Sequence, residues 1–166
     1  MNNQSPTNDI LYFQITDLWK KLCENHTTLL DLTFLEYSSL LSSDVEELEE
    51  LLEKKNDIIL DIKALESLRA GLIEKLNSTE SNKVSNVSGL IEVIREYEEE
   101  KKYKHFQNFN NLLIDLIEKL KSQNKKNQMF LNKAIHSLKN IKEDAMGKKS
   151  FSTYGKNGHE KNHIVP

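Results

Sequence analysis

The chain has 166 residues, a formal net charge of -3, 37% hydrophobic residues and 30% charged ones. That length supports one domain or one elongated helical unit, and that apolar share suits a thin bundle better than a thick globular core. A single cysteine, Cys23, excludes an intrachain disulfide, and no apolar run approaches the roughly 18 residues that a membrane-inserted helix needs.

Met1 to Asp9 is polar and lacks the basic-then-apolar pattern of a secretion signal. With the lone cysteine, this leads us to expect a cytoplasmic protein. Two prolines and five glycines are few, so long helices are sustainable.

The first helix is expected over about 8–41. Leu11, Ile15, Leu18, Leu22, Asn25, Leu29 and Leu32 step by four and three, and Trp19, Leu30, Phe34 and Tyr37 widen that face. Ser42, Ser43 and Asp44 break the pattern, and Asp44 followed by Glu47 has capping-box spacing, as has Ser43 followed by Glu46. A second helix over 44–77 carries the seam Leu48, Leu51, Lys55, Ile58, Ile62, Leu65, Arg69, Leu72 and Leu76. The stems of Lys55 and Arg69 can lie along apolar surface while their charges reach water or a carboxylate. In a hairpin, Arg69 would approach Asp17.

Asn77 to Ser88 is rich in Ser and Asn and reads as a loop. A short helix over 88–97 follows, and the charge run from Glu98 to Lys102 leads into a last helix over 98–145. Its expected seam is Phe106, Asn110, Leu113, Ile117, Leu120, Asn124, Asn127, Leu131, Ala134, Leu138 and Ile141. Residues 147–166 read as a polar, disordered tail after a helical domain over 1–146. The fold class is all-α: an elongated antiparallel hairpin plus a long C-terminal helix in a coiled-coil-like bundle.

Charge is unevenly distributed. Residues 1–100 hold 9 basic against 21 acidic side chains, a balance of -12, while residues 101–166 hold 14 against 5, a balance of +9. The basic half could meet nucleic acid, but its lysines are spread around the helix and it contains no arginine, the residue of the most specific base contacts. We therefore expect no nucleic-acid partner, and expect the basic half to pack on the acidic half. Membrane-surface binding needs a free apolar face, and here that face is expected to be used by the bundle.

No phosphate-binding glycine loop, nucleophile elbow or HExxH occurs. The lone Glu-x-x-His match, Glu160 to His163, lies in the tail, whereas a di-iron bundle needs two such pairs. Cys23 reads as an inert half-buried thiol, and His105 and His136 as solvent-facing. No enzyme, metal or cofactor is expected.

The polar seam positions Asn110, Asn124 and Asn127 allow two readings. Buried Asn can fix register or oligomer state. Alternatively, it keeps a partly open groove wetted for a partner. Around Phe109, Leu112, Leu113, Ile114, Leu116 and Ile117 the apolar residues extend further round the helix than one seam can bury, so a second contact is expected: self-association into a homodimer or a partner helix in the groove.

Several of these elements, in this order, resemble the FlgN family of flagellar export chaperones: Glu36, Leu40, Asp44, Leu48, Lys55 and the run Leu65-Glu66-x-x-Arg69 in the hairpin, then Leu120 with Asn124 and Asn127 spaced N-x-x-N, then Tyr154-Gly155-Lys156-Asn157-Gly158. The resemblance covers about residues 11–158. It implies a cytoplasmic chaperone that holds hook-associated (hook–filament junction) proteins by their C-terminal segments before type III export. It implies substrate binding at Asn110, Leu113, Ile117, Leu120, Asn124, Asn127 and Leu131, and docking on an export-gate component through Tyr154 and Gly155. Asp at Leu113 or Ile117 would then abolish capture with helicity retained. The rival reading is a structural or adaptor coiled coil that oligomerises through the same seam without an export role.

Overall fold

A computed structural model describes residues 6–79, 84 and 86–156, with side chains described for 9–78, 84 and 86–147. Four helices and no strand occur among the described residues: α1 (Pro6–Ser42), α2 (Val45–Thr79), α3 (Val87–Lys101) and α4 (His105–Lys156). The all-α expectation holds. The chain divides into a compact unit over 1–125 and a second over 126–166.

In the first unit α1 and α2 form the expected hairpin. The Glu47 amide donates to Asp44 Oδ1 at 3.0 Å, as the capping-box spacing predicts. Ser43 takes a left-handed φ of 57° and the Asp44 amide reaches back to the Ser39 carbonyl at 3.0 Å, closing α1. Ser39 Oγ donates to Glu47 Oε2 at 2.8 Å across the turn. Further along, the half-buried cation Lys55 pairs with Glu36 of α1. Arg69 does not reach Asp17. Its guanidinium lies 5.7 Å from the centre of the Trp19 ring and pairs with Glu66, while Asp17 pairs with Lys21. The ring face offers the cation a partner nearer the seam than an exposed carboxylate could be.

The core is built around α1. Tyr12, Ile15, Leu18, Trp19, Leu22, Cys23 and Leu30 are joined by Leu76 of α2, Leu90 and Ile94 of α3, and Phe106, Leu113, Leu116 and Leu120 of α4. Phe34, expected on the same face, is exposed. Trp19 is the junction of three helices: its ring packs on Phe106 at 4.8 Å between centroids, and its Nε1 donates to Asn110 Oδ1 at 3.0 Å.

The boundary between α3 and α4 differs from expectation. α3 runs to Lys101 rather than about 97, and α4 starts at His105 rather than 98. Lys102 sits in the left-handed region with φ 60°, and the Tyr103 amide donates to the Glu98 carbonyl at 2.8 Å. At its other end α4 is helical to Lys156, beyond the expected stop near 145. No proline stands between 145 and 156, and Gly147 alone does not end a helix.

Candidate partner-binding site

The turn before α4 is organised by a residue that sequence reasoning assigned only to a charge run. Glu98 is fully buried. Its Oε1 accepts from the Tyr12 hydroxyl at 2.6 Å and from the Phe106 amide at 2.6 Å, and its Oε2 accepts from the Gln107 amide at 3.2 Å. A buried carboxylate is costly unless several donors satisfy it. Here two donors are amides that the first turn of α4 would otherwise leave unpaired, at the end where the helix dipole favours an anion. Burial, then the bond to Glu98, pushes the Tyr12 phenol above its ordinary value. Beside it Tyr97 donates to Asp9, and its phenol is pushed up to about 12, mainly by burial. Glu98 therefore fixes where α4 begins and ties it to α1.

The residues expected to bind a partner divide into three groups. Asn110 is half-buried and bonded to Trp19; Leu113 and Leu120 are core residues; Ile117 packs against that core. This group is a packed interior rather than an open groove, so Asp at Leu113 would place an unpaired charge in the core and report on folding, not on capture. Asn124 is exposed while Gln123 is buried, and Asn127 is buried. The buried line of α4 runs 113, 116, 120, 123, 127, shifted by one from the expected 117 and 124. Leu116 and Ile117 are both apolar and Gln123 and Asn124 both amides, so the pattern alone did not discriminate. Leu131 is exposed, at the edge of the remaining stretch. Tyr154 and Gly155 lie in the last helical turns of α4, and their side chains, like everything after 156, are outside the described residues.

In the second unit α4 leaves a line of apolar residues uncovered. Leu131, Ile135, Leu138, Ile141 and Met146 are exposed, and Phe130 and Ala134 half-buried. Steps of four, three and three put Leu131, Ile135, Leu138 and Ile141 on one side of the helix. Lys139 and Lys142 are exposed beside them. In the first unit Lys119 of α4 pairs with Asp115 of its own helix at 2.7 Å. Of the basic half, Lys101 pairs with Asp9 of α1 at 3.9 Å.

Other features offer less. The cavity lined by Leu11, Ile15, Leu76, Leu90, Val93 and Tyr97 measures about 60 Å³, too small for a partner's side chains. Cys23 Sγ donates to the Phe109 carbonyl at 3.2 Å, and burial pushes its thiol up to about 11, which suits a packing residue and not a nucleophile. No helix among the described residues is long and apolar enough to cross a membrane. Among the same residues no three His, Cys, Asp or Glu side chains gather as a metal site.

A protein-family model described as FlgN protein matches residues 10–162. No curated protein and no solved structure matches the chain.

Proposed function

The chain belongs to the FlgN family of flagellar export chaperones, and from that premise we propose that it holds the C-terminal segments of hook-associated proteins in the cytoplasm before type III export. The observation that carries the reading is the uncovered face of α4 formed by Leu131, Ile135, Leu138 and Ile141. An amphipathic segment that is disordered alone can lay its apolar side there as a helix, part of the gain being offset by its ordering entropy. Of the residues first expected to bind, Leu131 keeps that role, and Asn127 borders the face. Asn110, Leu113, Ile117 and Leu120 act one step back, by holding α4 on the hairpin. Asn124, exposed seven residues before Leu131, shares that side of the helix and keeps its proposed role at the near end of the face. Tyr154 and Gly155 remain the proposed contact with the export gate.

The test is a pull-down from flagellated cells with the full chain as bait, repeated with Leu131→Asp/Leu138→Asp. Both sites are exposed, so the variant should keep its helicity by circular dichroism and lose at least about tenfold in capture of hook-associated proteins, the loss of roughly 1.4 kcal/mol that burying two charges easily exceeds. Undiminished capture would remove this face from the account. Tyr154→Ala should capture normally and fail at export.

A further inference from the structure

We propose that the apolar face of α4 over 126–147 associates with the acidic outer face of α2 in a second copy of this chain. The proposal goes beyond capture of export substrates and does not rest on it.

The two faces are matching halves of one seam. On α2, Val45, Leu52 and Leu60 are 64%, 43% and 61% exposed and recur at steps of seven and eight, one per two turns on the outside of the hairpin. Glu46, Glu49 and Glu53 are exposed between them. Residues 45–57 hold six carboxylates against two lysines, and one of those lysines, Lys55, is already taken by Glu36. On α4 the line Leu131, Ile135, Leu138 and Ile141 is accompanied by Lys139 and Lys142 on the same side of the helix. Residues 126–147 carry four lysines against Glu143 and Asp144.

Charge decides which pairings are allowed. Two α4 faces would set lysine against lysine, and two α2 faces glutamate against glutamate; both are repelled along their flanks. Only α4 on α2 buries both apolar lines with opposite charges alongside. The lengths agree: 126–147 spans about 33 Å of helix, and Val45 to Leu60 about 22 Å.

Sedimentation velocity of the full chain over a concentration series, at low and high salt, tests this. The chain should associate, and raising the salt should weaken association severalfold. Lys139→Glu/Lys142→Glu should associate at least about tenfold more weakly than the parent, and Glu49→Lys/Glu53→Lys likewise. An equimolar mixture of the two variants should associate again, because the acidic α2 of one then meets the basic α4 of the other. All four positions are exposed, and unchanged helicity separates lost association from lost fold. A parent chain that stays monomeric at every concentration, including one that binds anionic vesicles as a monomer, would overturn the proposal. So would association indifferent to the charge reversals, or variants that fail to recover on mixing.

Discussion

Removing the Glu98 carboxylate strips three donors of their acceptor at once. Glu98→Ala leaves the Tyr12 hydroxyl and the Phe106 and Gln107 amides without it. The expected cost is about 3 kcal/mol, because the penalty for buried, unsatisfied donors exceeds the net worth of the bonds lost. Tyr12→Phe removes one charge-assisted bond and leaves the two amides served, so about 1–2 kcal/mol is expected. Urea midpoints should rank parent, Tyr12→Phe, Glu98→Ala. Equal stability of the alanine variant and the parent would mean that α4 is placed by its apolar residues alone.

The titrating groups buried at the same end give a pH dependence of definite sign. Cys23 is raised from 9.0 to about 11 and Tyr97 from 10.0 to about 12, with Tyr12 raised further, in each case mainly by burial. Each neutral form is favoured in the folded state, so the stability these groups contribute is fully present below their unfolded values. It is lost as pH rises through the folded ones. Urea midpoints should therefore be flat from pH 7 to about 9 and fall between about 9 and 12. Tyrosinate absorbance should show Tyr12 and Tyr97 titrating late and together with unfolding. A stability that rises across that window would contradict the buried placement of these side chains.

At the scale of elements, what the sequence disclosed depended on how many faces each helix had to serve. All nine seam positions assigned on α2, including the cationic Lys55 and Arg69, are buried or half-buried. α2 lines the core with one face, and a period of three and four then identifies it unambiguously. α1 serves several neighbours, which its wider apolar arc foretold, although Phe34 falls outside it. The break between α3 and α4 was not legible, because the run from Glu98 to Lys104 contains neither Pro nor Gly. It is imposed by tertiary contact: a left-handed Lys102, a conformation costing about 1 kcal/mol for a non-glycine residue, is offset by the buried Glu98 carboxylate that the turn allows to form. The candidate site was half legible for a related reason. The apolar stripe of α4 was visible throughout, but the sequence does not mark where along that stripe covering by the chain's own helices stops. The expected binding residues were consequently centred on Leu113 to Leu120, which the core consumes, with only Leu131 on the open stretch.

For the whole molecule, the two units should differ in how they hold their backbone hydrogen bonds. The first has its own core, so amides of α4 over 106–120 open only with that core. Over 128–147 every described residue except Phe130 and Ala134 is exposed. A helix with no packed face is marginal in water even at 12–15 residues. In hydrogen–deuterium exchange at high dilution, amides over 128–147 should exchange orders of magnitude faster than those over 106–120. Either occupant of the Leu131, Ile135, Leu138 and Ile141 face would slow them, a captured export segment or the α2 face of a second copy, because both bury the same side chains. The two are then mutually exclusive, and the order of addition tells them apart. Protection that grows with the chain's own concentration marks the second copy. Adding an export segment should retain that protection while releasing the protection and charge dependence of α2 over 45–60. Equal slow exchange of both stretches at high dilution would mean that 128–147 is already covered within one chain, and neither occupant would then be needed.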